Sequence, residues 1–129
     1  MRTKALVVDD SMLIRYTVCR YLEDRGFTVE SATNGAEAMD VLSRMHVDLI
    51  FTDMQMLQMS GSEFITQLKN KPETAKVPII IVAARASGFD QTEKRADFVI
   101  YKDIEINCQL DKALAQLSAN GFRGQAAGK

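Results

Sequence analysis

Three aspartates and one lysine stand where apolar runs of the sequence end. Asp9 and Asp10 close the first run, and Asp53 closes the third. Lys102 follows the fifth. Carboxylates at close range repel one another unless a cation or a proton neutralises them, and Mg²⁺ favours such hard oxygen ligands together with phosphate oxygens. An ammonium beside them can pair with a phosphoryl oxygen, so these residues indicate phosphoryl transfer, with Asp53 as the best candidate nucleophile.

Five short runs rich in β-branched residues are the elements that must position these side chains. They cover residues 5–8, 28–32, 47–52, 77–82 and 98–101. Several are apolar at successive positions, which is typical of parallel strands covered on both faces. Helical patterns lie between them, so the order is βα repeated five times. This order predicts a doubly wound α/β sandwich with right-handed crossovers, in which functional groups collect at the carboxyl ends of the strands.

Local signals mark the ends of the helices. Gly26 ends the first helix, and Asn34 and Ser60 each open one with a glutamate three residues later, a capping-box pattern. Asp103 is a candidate cap for the last helix. The fourth helix is the weakest prediction because residues 85–97 are few and include a Ser-Gly pair, so we expect it to be short or irregular.

The bulk composition predicts a single domain. The chain has 129 residues and 47% hydrophobic content, enough for one core. A net charge of -1 gives no basic field for nucleic acid, and the first apolar run is too short for a signal peptide or a membrane span. Cys19 and Cys108 fit no metal or disulfide spacing. We therefore expect a cytoplasmic protein, with a domain at 1–120, a flexible tail at 121–129 and no attached output domain.

Three segments resemble the receiver domains of two-component response regulators. They are Val-Val-Asp-Asp-Ser around Asp9, Asp-Met-Gln-Met-Leu-Gln-Met-Ser-Gly from Asp53, and the Tyr-Lys pair that ends at Lys102. The resemblance, chemotaxis-regulator-like but atypical, covers about residues 4–117. It implies a flavodoxin-like (βα)5 fold of three layers around a five-stranded parallel sheet.

The resemblance also implies a role for each residue of the site. Asp10 and Asp53 would bind Mg²⁺ directly, and Asp9 would act mostly through water. Gln55 would offer its backbone carbonyl to the metal, and Lys102 would contact the phosphoryl group. The domain would assist only its own phosphorylation and hydrolysis, and would not otherwise be an enzyme.

The partners follow from the same resemblance. The donor would be a phosphohistidine on a sensor histidine kinase or a histidine phosphotransfer protein, received against the first helix. Candidate contacts there are Met12, Leu13, Arg15 and Tyr16. The sequence identifies neither the downstream protein target nor the pathway, and leaves open whether the chain forms a homodimer.

Four positions depart from the family pattern. Ala83 replaces the Ser or Thr that ends the fourth strand, which removes a hydrogen bond to the phosphoryl group typically worth about 1.5 to 3 kcal/mol. Val99 replaces the aromatic switch residue, and Leu57 and Asp103 replace prolines. We expect a trans Lys102-Asp103 bond, or a cis bond at a cost of roughly 2.5 to 4 kcal/mol if Lys102 must be placed as in the family. Conformational readout should be weakened.

Two functions remain in view. The first is a stand-alone receiver that signals by protein-protein contact after phosphorylation of Asp53. The alternative, favoured by Ala83, Val99 and Asp103, is a phosphorylation-independent pseudo-receiver adaptor that binds a partner constitutively. An aspartate-nucleophile phosphatase would need an Asp-x-Asp motif on the first strand, whereas here the acids are adjacent.

Three further features have structural interpretations. His46 follows a helix and has no second ligand nearby in sequence, so a helix C-terminal contact is favoured over catalysis. The methionines at 54, 56 and 59 are expected to pack a loop, with a pliable partner surface as the second interpretation. Arg85 is either solvated or within reach of a phosphate.

Overall fold

A computed structural model of the chain describes residues 3–53, 60–83, 96–102 and 105–119. Its strands are β1 (Lys4–Val8), β2 (Thr28–Ala32), β3 (Leu49–Asp53), β4 (Ile79–Ala83) and β5 (Phe98–Tyr101). Its helices are α1 (Met12–Asp24), α2 (Gly35–Arg44), α3 (Gly61–Lys69) and α4 (Ile106–Ala119). The predicted fourth helix falls almost wholly within 84–95, outside the described residues, so the last helix is α4 here.

The five strands form one parallel sheet in the order β2-β1-β3-β4-β5. The chain moves outward from β1 to β2 and then returns to the other side of β1 for β3. Strand order therefore reverses between β1 and β3, where open α/β sheets form their clefts. The predicted doubly wound α/β fold is confirmed.

The two faces of the sheet are covered by different helices. One core cluster joins α1 and α4 to the sheet, with Val18 and Leu110 fully buried against Phe51. The other joins α2 and α3, with Ala38 and Phe64 fully buried. Successive residues of β3 and β4 pack into opposite clusters. This explains why every residue of β4 is apolar and why β3 is apolar up to Thr52.

Local capping chemistry sets the helix ends. Gly26, with φ of 92°, follows the end of α1, because this left-handed conformation suits glycine. The Asn34 side chain accepts a hydrogen bond from the third residue of α2, and Ser60 forms a complete capping box at α3. In α4 the side chain that accepts from the first turn is that of Glu105, which precedes the helix. The predicted cap, Asp103, lies outside the described residues.

Three of the five strands have bounds that differ from the prediction. Strand β1 begins one residue earlier, at Lys4. Strands β3 and β4 begin two residues later than predicted and end one residue later. Val47 and Val77 were included because they are apolar, and both are indeed buried. They pack in the core before the ladder hydrogen bonds begin, so burial there does not mark strand pairing. None of the helices in the described ranges has the length and apolar character of a membrane span.

Candidate functional site

The three predicted aspartates meet at the carboxyl ends of β1 and β3. Asp9 and Asp53 are buried, with 1% and 4% of their surface exposed, whereas Asp10 is exposed. One carboxylate oxygen from each of the three lies within 4.8 Å of those of the other two. The strands place them there because β1 and β3 are neighbours in register, with Val8 opposite Thr52.

Lys102 brings a positive charge between the two buried acids. Its Nζ lies 3.1 Å from Asp9 Oδ2 and 3.1 Å from Asp53 Oδ2. Burial alone lowers the pKa of Lys102, but attraction to Asp9 and Asp53 outweighs that effect and raises the pKa above its usual value. The ammonium therefore stays charged at neutral pH and balances part of the negative charge.

Burial alters the protonation of Asp9. Burial, with added repulsion from Asp53, raises the pKa of Asp9 from 3.8 to about 6, although a hydrogen bond from the Ser11 backbone works in the opposite direction. Asp9 Oδ2 is buried, and among the described residues it receives no hydrogen bond. Lys102 Nζ donates a hydrogen bond to the other oxygen, Asp9 Oδ1, at 3.4 Å, and forms an ion pair with Oδ2 at 3.1 Å. The buried oxygen is thus a ready ligand for a cation.

The loop from β1 to α1 is held by a residue whose role the sequence did not predict. Arg15 donates through Nη1 to the Asp9 backbone carbonyl at 2.8 Å. Ser11 also caps α1, since its hydroxyl accepts from the Ile14 N–H at 3.3 Å. Arg15 is also one of the predicted partner contacts, and that role stays a prediction. No sequence pattern indicates its bond to the Asp9 carbonyl.

The donor set fits a hard divalent cation. All three groups are carboxylates, which suit Mg²⁺ and exclude a soft thiolate-type site. One oxygen of each carboxylate lies within 4.8 Å of those of the other two, so all three groups could face one hard cation. The fourth predicted ligand, Gln55, lies outside the described residues. Asp9, Asp10 and Asp53 can therefore share one such ion.

The family model of the response regulator receiver domain matches residues 5–114, most of the chain. The chain belongs to the response-regulator receiver family. The "Gliding motility regulatory protein" of Myxococcus xanthus is 37% identical over 90 residues, which are 70% of this chain and 12% of that protein. The "Probable transcriptional regulator ycf29" of Pyropia yezoensis is 31% identical over 91 residues, which are 70% of this chain and 41% of that protein. The receiver thus spans less than half the length of either relative.

A solved receiver structure agrees with the fold. The chemotaxis response regulator CheY4 of Vibrio cholerae superposes with a TM-score of 0.82 at 29% identity, covering 91% of this chain and 99% of that one. The predicted resemblance to receiver domains of two-component signalling, and to chemotaxis regulators in particular, is confirmed.

Among the described departures from the receiver pattern, Ala83 lies beside the site. Ala83 ends β4 and is buried with 2% exposed, and its carbonyl accepts the Lys102 N–H at 2.9 Å. Its methyl group has no donor to offer. Val99 is half-buried and packs against the core cluster of α2 and α3. Leu57 and the Lys102-Asp103 bond lie outside the described residues.

The first helix of this receiver presents an apolar surface to solvent. Met12, Leu13 and Tyr16 are 73%, 71% and 62% exposed, and they lie within two turns of the acidic loop. Large apolar side chains exposed together are characteristic of contact surfaces. The three predicted partner contacts other than Arg15 are therefore accessible.

The remaining candidate residues lie elsewhere. His46 is exposed, and its Nε2 lies 3.4 Å from Asp48 Oδ1, away from the acidic site. The Asp48 carboxylate also accepts the Lys4 N–H, so this acid ties the start of β1 to the chain before β3. The methionines at 54, 56 and 59 and Arg85 lie outside the described residues.

Proposed function

We propose that this receiver accepts a phosphoryl group on Asp53 from a phosphohistidine of a sensor histidine kinase or a histidine phosphotransfer protein. The observation that carries the proposal is the position of Lys102 Nζ, 3.1 Å from both Asp53 and Asp9. It holds a cation beside a buried carboxylate, where charge on a transferring phosphoryl group has to be balanced.

Mg²⁺ is the proposed cofactor. Asp10 and Asp53 would hold it directly, Asp9 mostly through water and Gln55 through its backbone carbonyl. When bound, the metal supplies positive charge for the oxygens of the phosphoryl group. Asp10 is exposed, so this carboxylate can be reached from solvent.

The proposed transfer is a displacement at phosphorus. An Asp53 carboxylate oxygen forms the new P–O bond while the P–N bond to the donor imidazole breaks. The electron pair of that bond stays on the imidazole nitrogen, which takes up a proton from water. Lys102 exchanges its contact with the Asp53 carboxylate for a contact with a phosphoryl oxygen. The product remains on the protein, so the domain acts as a phosphoacceptor rather than as an enzyme with a released product.

Partner contacts complete the proposal. The exposed apolar face of α1, formed by Met12, Leu13 and Tyr16, would meet the phosphohistidine protein beside the site. The signal would pass to a downstream protein by direct contact in the cytoplasm. Because Ala83 cannot donate to the phosphoryl group, the conformational response to phosphorylation should be smaller than that of a receiver with a hydroxyl there.

The test is phosphorylation by a small donor with a P–N bond, phosphoramidate, in the presence and absence of Mg²⁺. Intact-mass spectrometry should show one added phosphoryl group on the wild type with Mg²⁺, and none on Asp53→Asn. The matched control is Asp40→Asn, since Asp40 is an exposed acid on α2 paired only with Arg44 among the contacts described.

The outcomes separate the candidate functions. Addition that requires both the metal and Asp53 supports the proposal. Equal addition to Asp53→Asn would place the acceptor elsewhere. No addition from phosphoramidate or from a panel of phosphorylated histidine kinases would overturn the proposal and favour a constitutive adaptor.

A further inference from the structure

The side chain of Gln109, in α4, is paired with the backbone of Tyr101 at the end of β5. The Tyr101 N–H donates to Gln109 Oε1 at 2.9 Å, and Gln109 Nε2 donates to the Tyr101 carbonyl at 2.9 Å. β5 is the last strand in the sheet order, and Lys102 donates its N–H toward β4. Since neighbouring residues of a parallel strand point their backbone groups to opposite sides, the Tyr101 groups face away from β4. The carboxamide occupies the place of a further strand.

One peptide unit is thereby held from both sides. The Tyr101 carbonyl and the Lys102 N–H belong to the same planar peptide group. Its oxygen accepts from Gln109 Nε2, while its N–H donates to the Ala83 carbonyl at 2.9 Å. The plane that leads into the Lys102 Cα is therefore restrained by α4 on one side and by β4 on the other.

This restraint bears on the Lys102 ammonium. Lysine carries its charge on a flexible four-carbon stem, so a small rotation of the backbone is magnified at Nζ. That Nζ is placed 3.1 Å from both Asp9 and Asp53. A restrained Lys102 backbone reduces the number of side-chain conformations in which Nζ lies out of reach of the carboxylates.

Gln109 is itself fixed to the body of α4. Its Nε2 also donates to the Glu105 carbonyl at 3.2 Å, one turn earlier. The next residue, Leu110, is fully buried in the core cluster shared with α1. A movement of α4 therefore reaches the Tyr101 peptide through one side chain.

We propose that Gln109 is a positioning residue that holds the peptide before Lys102 and so couples α4 to the phosphoryl-transfer site. The proposal rests on the proposed function in that Lys102 is taken to contact the phosphoryl group. The coupling is local and uses two hydrogen bonds, so its loss should slow transfer without unfolding the domain.

Three variants test the proposal. Gln109→Met keeps the length of the side chain and removes its two hydrogen bonds to Tyr101 and the one to the Glu105 carbonyl. Gln109→Glu keeps the acceptor for the Tyr101 N–H and removes the two bonds that Nε2 donates, to the Tyr101 and Glu105 carbonyls. Gln67→Met is the control, because it makes the same replacement at an exposed glutamine of α3. With phosphoramidate and Mg²⁺ we expect both Gln109 variants to be phosphorylated about 5- to 10-fold more slowly, and the control at the wild-type rate. If Gln109→Glu is phosphorylated at the wild-type rate, the hydrogen bond to the Tyr101 carbonyl has no role in positioning Lys102.

A double-mutant cycle separates positioning from a general structural effect. In a Lys102→Met background, Gln109→Met should have no further effect on the phosphorylation rate, because the group it positions is gone. If Gln109→Met slows transfer by the same factor in both backgrounds, Gln109 does not act through Lys102 and the proposal fails.

A spectroscopic measurement without phosphodonor keeps the proposal separable from the proposed function. The side-chain ¹⁵Nζ resonance of Lys102, identified by its loss in Lys102→Met, should move in Gln109→Met toward the position of exposed lysines and stay in place in Gln67→Met. An unmoved resonance would overturn the positioning role. A moved resonance in a protein that takes no phosphoryl group would leave the positioning contact intact and overturn only the phosphorylation.

Discussion

Two clusters among the described residues that set a cation beside carboxylate oxygens differ in solvent access. At the site, Lys102 lies between Asp9 and Asp53, both nearly inaccessible to water. Where α1 meets α4, the Arg25 guanidinium stacks 3.5 Å from the centre of the Tyr21 ring and lies 3.4 Å from Asp111. Asp111 is 59% exposed and accepts the Tyr21 hydroxyl as well.

The difference in solvent access indicates a different role for each cluster. In the α1 and α4 contact, the charges keep their water and the hydroxyl has a partner, so the cluster costs little and ties two helices together. At the site, two acids share one ammonium in a desolvated cleft, and one carboxylate keeps a raised pKa. Such an arrangement destabilises the folded state and is retained where chemistry requires it. Substitutions in the two clusters should therefore have opposite effects.

The largest expected effect follows from removing the shared cation. Lys102→Met should reduce the rate of phosphorylation by phosphoramidate roughly 100-fold, because the developing charge loses its protein donor. The rate is measured by intact mass over time at saturating Mg²⁺.

The control for this variant is Lys112→Met, which removes an exposed lysine on α4. It should leave the rate unchanged. A Lys102→Met rate within about threefold of the wild type would show that the ammonium is not used in the transfer, since the loss of one such donor costs more than that.

The second prediction concerns stability, and here the substitution is expected to be favourable. In metal-free protein at about pH 7.5, Asp9→Asn should raise the free energy of unfolding by roughly 2 to 3 kcal/mol, because it removes a charge whose pKa is raised by burial and by Asp53. Urea unfolding in the presence of a chelator measures the change. Asp40→Asn, which alters an exposed acid, should change it little.

The pH dependence of the free energy of unfolding explains why Asp9→Asn should stabilise the protein. The pKa of Asp9 is about 6 when folded against 3.8 ordinarily, so between these values the folded state binds more protons than the unfolded state. The contribution of Asp9 to the free energy of unfolding of the wild type therefore falls as the pH rises between these two pKa values. The full destabilisation is reached above about pH 6. The advantage of Asp9→Asn should vanish below about pH 4. An advantage that stays constant with pH would contradict the electrostatic origin.

The smallest expected effect is in the α1 and α4 contact. Tyr21→Phe should lower the free energy of unfolding by about 1 kcal/mol, since it removes one hydrogen bond to a largely solvated carboxylate and keeps the ring under Arg25. Tyr16→Phe is the control, because its exposed hydroxyl pairs with Arg20 within α1 and not with α4. The rate of phosphorylation by phosphoramidate should not change in either variant. If Tyr21→Phe raised the free energy of unfolding, the α1 and α4 contact would destabilise the folded state as the site does, and the contrast between the two clusters would be wrong.

Much of the fold could be predicted because its signals are local. Apolar runs placed the strands, and the Asn34 and Ser60 patterns placed the starts of two helices through bonds that span only three residues. The acids of the site were predicted together because parallel strands end at one edge, so Asp9 and Asp53 need only the strand order to meet. Boundaries were less certain, since Val47 and Val77 are buried without being paired.

What could not be predicted depends on contacts between distant residues. Tyr21 and Asp111 are 90 positions apart, and Tyr101 meets Gln109 only because α4 folds back along β5. The bond from Arg15 to the Asp9 carbonyl depends on how α1 leaves the sheet. Arg15, Gln109 and Asp111 are ordinary polar residues of helices, and their types alone do not distinguish a solvated side chain from a paired one.

The pairing of Gln109 with Tyr101 also bears on self-association. A terminal strand offers its backbone groups to any second strand, and this is how sheets join between molecules. At Tyr101 both groups are occupied by a side chain of the same chain. A second molecule adding to β5 must first displace that carboxamide. The end of β5 nearest the acidic site is therefore protected against sheet extension by the same side chain that holds its backbone in place.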